Sequence, residues 1–235
     1  MEPYVNLLER EVTKLKGDKT VKVAVIAASG RAGSLIAKEA KDRGHQVTAI
    51  VRNAEKVKDK DLRVVEKDLF TLTAKDIKNY DVVINAFGTG MEQEQAVKHV
   101  QFGKILIEAL KEVPDTRLIV VGGAGSLFVN EDRTIRVMDT PDLPTFFQPT
   151  AINQAKNLED LEETDEITWT FVSPALDFDA TGKRTGSYQV GNDQVIVNSK
   201  NQSYISYADF AIAIVDEIEQ AAHKNERFTV ISESE

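Results

Sequence analysis

The residues best suited to chemistry are the small and basic ones of a single turn, Ala28, Ser29, Gly30, Arg31, Ala32 and Gly33. They follow an apolar, β-branched run (Val21, Val23, Val25, Ile26) and precede a helix-periodic segment with Leu35, Ile36 and Ala40. Strand, tight turn and helix in that order open a βαβ unit of the dinucleotide-binding kind. Gly30 would let the backbone approach a pyrophosphate, and Gly33 would let the helix close on the strand. The helix N-terminus adds unpaired N–H groups and the positive end of its dipole. The first glycine of the pattern is replaced by alanine, Ala28 or Ala27 according to the spacing used, and a methyl group there calls for a turn of negative φ. The competing reading is a strand-to-helix turn that binds nothing.

A second group of candidates lies where later strands end. The strand 46–51 stops at Arg52-Asn53. An acidic residue is usual at that point in an NAD-selective fold, where it bonds the adenosine ribose hydroxyls. Here Arg52 joins Arg31, and two guanidinium groups suit a 2′-phosphate, favouring NADPH over NADH; otherwise each is a surface charge. Asp68, after the strand 62–66, either meets the adenine edge or caps its turn. Ala86, Phe87 and Gly88, where the strand 81–85 ends, should border the cofactor.

These positions require alternating strands and helices to hold them. The pattern predicts a doubly wound, parallel α/β sheet, Rossmann-like, in the order 3-2-1-4-5-6-7 with a small substrate-side cap. Residues 1–20 form an N-terminal helical extension and 21–235 a single nucleotide-binding domain. Gly44 is the C′ residue of the first helix. A long helix covers 92–112, with Gly103 in its apolar stripe at a close helix approach. A further helix presents Ile152, Ala155, Leu158 and Leu161. Residues 128–149 lack periodicity and have the length of a functional lid. Residues 188–197 read as a β-hairpin around Gly191-Asn192-Asp193. Ser206 and Asp209 start a helix with a capping-box pattern, and 228–231 close the chain as an edge strand.

Composition narrows the function classes. At 235 residues there is enough chain for a substantial core. A net charge of −9, dispersed along the chain, argues against nucleic acid or an anionic membrane as partner. No cysteine is present and the three histidines are far apart, which leaves no metal-ligand pattern. No apolar run approaches a membrane span and the N-terminus lacks a signal-peptide core, so a cytoplasmic location is expected. The partner expected is a small molecule, and the chain a monomer or homodimer.

From Val21 onward the chain resembles the NmrA-like, atypical short-chain dehydrogenases, and most closely the bacterial proteins described as candidate NADH-flavin reductases. The likeness rests on residues 25–34, on Val51-Arg52-Asn53, Lys67-Asp68 and 81–88, on 120–127, and on Ile205-Ser206-Tyr207-Ala208-Asp209. It implies an NAD(P) site at the first turn. It also implies roles for Ser126, which matches the family's serine after the fifth strand, and for Lys156, which would bond the nicotinamide ribose; the alternatives are a turn residue and a surface lysine. The Tyr-x-x-x-Lys pair of the catalytic short-chain enzymes is broken, because Ile152 stands four residues before Lys156. Without that phenol a carbonyl oxygen has no obvious proton donor, which disfavours alcohol dehydrogenase chemistry. Reduction of a free flavin, quinone or similar planar acceptor asks less of the protein: two rings in register, with the proton taken from solvent. The expectation is an NADPH-dependent reductase of that kind, with flavin as a substrate. The alternative is an NmrA-like redox sensor that holds NADP(H) without turnover.

Overall fold

The computed structural model describes residues 20–234; the helical extension expected over 1–20 lies outside them except for Thr20. The chain opens with β1 (Lys22–Ile26), α1 (Arg31–Asp42), β2 (Gln46–Val51), β3 (Arg63–Glu66), α2 (Ala74–Ile77) and β4 (Val82–Asn85). It continues with α3 (Gln93–Ala96), α4 (Lys98–Lys111), β5 (Arg117–Val121), α5 (Gln148–Glu162) and β6 (Trp169–Ser173). The last elements are β7 (Asp177–Asp179), β8 (Gln189–Gly191), β9 (Tyr204–Ser206), α6 (Tyr207–Gln220) and β10 (Glu226–Ile231).

Eight strands form the main sheet in the order β3-β2-β1-β4-β5-β6-β10-β8, all parallel except β8. The expected doubly wound, Rossmann-like architecture is therefore present. β7 and β9 pair separately as a two-stranded parallel sheet.

Both faces of the sheet are covered, which is why its strands read as nearly continuous apolar runs. The two-residue period of β1 sends Val23 and Val25 to the side of α1 and α6, where they meet Ile36, Ala40, Phe210 and Ile214. Ala24 and Ile26 face the other side, with Phe102 and Leu106 of α4 and Leu158 of α5. On that side α4 and α5 approach closely at Gly103, where any side chain would run into the buried amide of Asn157.

Several local expectations are corrected. The 188–197 hairpin does not form: β8 pairs with β10, while 193–195 bonds to Phe128 through Phe128 N–H to Asp193 O and Val195 N–H to Phe128 O. For the same reason β10 is not an edge strand; its outer edge is taken by β8. The single helix over 92–112 is two, α3 and α4, meeting at Val97. Ile152 leaves the apolar stripe of α5 and is exposed, its place taken by buried Ala151. Gly44 does hold the C′ position, with φ of 89°. Ser206 caps α6 by accepting from Asp209 N–H at 3.0 Å, but the Asp209 carboxylate turns instead to the Thr185 and Gly186 amides.

At the amino ends of the strands a buried charge cluster ties the sheet to α6. Arg117, at the start of β5, lies 3.1 Å from the Glu217 carboxylate and donates to the Glu217 carbonyl at 2.6 Å. The second Glu217 oxygen is 2.8 Å from His223 Nδ1, and the His223 ring stacks on Phe228 with centroids 4.1 Å apart.

Candidate functional site

Strand order reverses between β1 and β4, and ligands of open α/β sheets bind in the crevice above the carboxyl ends at such a point. A cleft of about 1310 Å³ opens there. It exceeds the ~300–1,000 Å³ of sites built for one drug-sized ligand, leaving space for a dinucleotide and a second molecule.

The turn between β1 and α1 makes one wall. Ala27 N–H donates to Ile50 O at 2.9 Å and Gly30 N–H returns to Ala27 O at 2.8 Å. Gly33 packs so closely on this turn that a Cβ would sit 2.5 Å from Ala27 O, which accounts for glycine at that position. α1 starts with no side-chain cap on its first amides, leaving them for an anion. Ala27 itself adopts φ of 58°, against the expectation of negative φ. The tight return to Gly30 imposes the left-handed form on a residue with a Cβ, at a cost of roughly 1–2 kcal/mol.

Ser29, Gly30, Arg31, Ala32, Arg52, Ala86, Phe87 and Gly88, read from the sequence as cofactor contacts, all line the cleft. Ala28 is buried beneath the turn and Gly33 sits at the helix–strand contact, so both shape the wall from behind. Asp68 accepts from Phe70 N–H at 3.0 Å, which is the turn-capping alternative, and is not among the lining residues. Ser126 is buried and accepts from an Arg227 guanidinium at 3.2 Å, while Lys156 is exposed; neither lines the cleft.

Charge divides the cleft. Arg31, Arg52 and Lys56 line the side next to β1 and β2, and none has an ion-pair partner among the described residues. Lys56 was hidden in a lysine-rich connection; a 3-10 turn capped by the Asn53 side chain brings it back over the end of β2. Across β5 and β6 the lining is apolar or neutral (Phe147, Thr150, Gln154, Leu176) with Asp177 as the charged group. Phe147 is the part of the expected lid, 128–149, that reaches the cleft. The rest is tied down by bonds such as Met138 N–H to Gly125 O at 2.9 Å.

Aromatic rings stiffen both walls. Phe87 is held edge-on by Phe70, Phe102 and His99 at centroid distances of 5.3 to 5.9 Å. Burial pulls the His99 pKa down to about 4, so its imidazole is neutral at physiological pH. Phe178 packs on Tyr207 with ring centroids 3.8 Å apart and the planes tilted by 33°, and both line the cleft. Burial pushes the Tyr207 phenol up, against the pull of Arg31. In the sequence Tyr207 belongs to the 205–209 stretch that carries the family likeness, but nothing in its spacing points to the cleft.

The NAD(P)H-binding family matches residues 27–221, the span that builds this cleft. The chain belongs to that family. Its resemblance to NmrA-like atypical short-chain dehydrogenases stands with this match. The uncharacterized protein YwnB of Bacillus subtilis is 61% identical over 215 residues, 92% of this chain and 100% of that one. SP1627 of Streptococcus pneumoniae, a candidate NADH-flavin reductase, is 43% identical with a TM-score of 0.85, covering 91% of this chain and 100% of its own. The anaerobillin reductase ChuY of Escherichia coli O157:H7 shares the fold at 16% identity and a TM-score of 0.66, over 89% of this chain and 96% of its own. Among the described residues no helix is long and apolar enough to cross a membrane, and no group of three or more His, Asp or Glu is placed to hold a metal ion.

Proposed function

We propose that the chain is an NADPH-dependent oxidoreductase that reduces a free flavin, quinone or similar planar acceptor. The observation that carries the reading is the three cations that line the cleft beside β1 and β2, Arg31, Arg52 and Lys56, none with an ion-pair partner among the described residues. Unpaired guanidinium groups beside an uncapped helix start are what a pyrophosphate and a 2′-phosphate need. The family match and the likeness to a candidate NADH-flavin reductase support an oxidoreductase; the arginine at the end of β2 supports the phosphorylated nucleotide over NADH.

When bound, a reduced nicotinamide supplies two electrons and a proton as hydride, and the acceptor takes its second proton from water. The chain's own work is then positional. Ser29 and Gly30 bring main-chain amides to the phosphates, Arg31, Arg52 and Lys56 neutralise them, and Phe87 walls the site where the rings meet. Ser126 and Lys156 stand outside the cleft, so no proton step is routed through them.

Purified chain mixed with NADPH and riboflavin, FMN, FAD or a simple quinone is expected to lose the absorbance of the reduced nicotinamide. Absence of loss with every acceptor, in protein that binds NADPH, would leave the second reading, a redox sensor without turnover. That reading is favoured by the absence of Ser126 and Lys156 from the cleft lining. A sensor would bind NADP+ and NADPH with different affinities.

A further inference from the structure

Among the described residues one phenol lines the cleft, that of Tyr207. We propose that its hydroxyl donates to the pyrophosphate of the bound nucleotide alongside Arg31, so that α6 joins α1 in holding that group. The inference rests on the nucleotide half of the reductase reading and adds a binding residue from outside the β1–α1 turn.

Helix packing brings the two residues together. α1 and α6 lie side by side, with Ile36 and Ala40 in the same buried cluster as Phe210 and Ile214. Arg31 opens α1, Tyr207 opens α6, and both line the cleft. At the far ends Arg43 donates to the Asp216 and Glu219 carboxylates, so the helices run in the same direction. At about 1.5 Å per residue, Arg31 stands about 18 Å before Arg43, and Tyr207 about 14 Å before Asp216. The two starts are therefore level to within about one helical turn. The Arg31 charge bears on the Tyr207 phenol, and no other charged group of the cleft lining does.

The hydroxyl is free to donate. Tyr207 is half-buried, and its hydroxyl has no hydrogen-bond partner among the described residues. The phenols of Tyr188 and Tyr204, by contrast, are taken up by Asp216 and Asp179. Burial raises the Tyr207 pKa above the ordinary phenol value of about 10, so the proton is retained at physiological pH. The ring is held on Phe178, which meets fully buried Phe210 at 4.8 Å between centroids. A donor already fixed in place loses little freedom when a ligand arrives. Two neighbouring donors, one of them cationic and neither with a protein acceptor, call for an anion with several acceptor oxygens. Arg31 belongs to the turn on which a dinucleotide's pyrophosphate rests, which selects that group over the 2′-phosphate.

The test is calorimetric titration of the full chain and its Tyr207→Phe variant with NADPH, NADH and 2′-AMP, which lacks the pyrophosphate. Phenylalanine keeps the ring contact with Phe178, so the urea melt of the free protein should not move. NADPH and NADH should each weaken about tenfold, near the low end for a hydrogen bond to a charged group, while 2′-AMP binds as before. Arg31→Gln combined with Tyr207→Phe should lose less than the product of the single losses, because both groups serve one phosphate. Dinucleotide binding untouched by Tyr207→Phe, an equal loss for 2′-AMP, or independent losses in the double variant would overturn the contact and leave the nucleotide site standing. No binding of any nucleotide to the unaltered chain would retire the nucleotide reading itself, and the contact with it.

Discussion

Arg117 and Arg52 stand at opposite ends of the same parallel sheet and are used in opposite ways. At the amino ends Arg117 is buried with Glu217, and His223 occupies the second carboxylate oxygen. At the carboxyl ends Arg52, Arg31 and Lys56 have no carboxylate partner among the described residues and face an open cleft. A charge that is buried and paired is part of the fold, since removing its partner strands it in a poor dielectric. A charge left unpaired beside a cavity contributes little to stability and is available to a ligand. The contrast separates residues that hold the sheet from residues that use it.

The largest effect should come from breaking the buried end. Glu217→Gln strands the Arg117 guanidinium and is expected to cost about 3–5 kcal/mol of stability in a urea melt. Arg52→Glu, at the exposed end, should shift the same melt by less than about 0.5 kcal/mol. In binding the order inverts. Arg52→Glu should weaken NADPH by about 100-fold, the scale of a charge-assisted bond to phosphate, and NADH far less. Equal loss for both nucleotides would mean that Arg52 does not read the phosphate.

His99 lies behind the cleft wall and provides a third case, a titratable group buried without a charged partner. Its folded pKa is depressed to about 4, while the unfolded imidazole takes its proton near about 6.5. The unfolded chain therefore binds more protons across that window, and stability falls as pH drops from about 6.5 towards 4. His99→Gln should flatten this part of the stability–pH curve by on the order of 1–3 kcal/mol. A smaller gain belongs to the turn: Ala27→Gly should raise stability by about 1 kcal/mol in the same melt, because φ of 58° is free of strain only without a Cβ.

The cationic end of the cleft was legible in the sequence because its signals are local. The β1–turn–α1 pattern and the spacing from the glycines to Arg52 depend on chain neighbours alone, and the strand–helix alternation follows from periodicity. What escaped depends on tertiary choices. Gln189–Gly191 pairs with β10 rather than with 194–197, because the outer edge of β10 is free and no rule of adjacent pairing sees that competitor. The rotation of α5 is set by the tight contact of Asn157 against Gly103, which turns Ile152 and Lys156 outward and Thr150 and Gln154 toward the cleft. Ser126 and Lys156 are candidates by family likeness alone, and a helix phase decided from outside the motif leaves Lys156 in solvent. Tyr207 reaches the site through the folding of a distant segment and Lys56 through a short 3-10 turn capped by Asn53, and neither carries a spacing signal in the sequence.

We propose that the carboxyl end of the sheet grips a 2′-phosphorylated nicotinamide nucleotide. Calorimetric titration of the full chain with NADPH and, separately, NADH tests it most directly. Heat of binding with NADPH, at an affinity well above that for NADH and falling as salt rises, is the predicted result. No heat with either nucleotide, or the same affinity for both at every salt concentration, would contradict it.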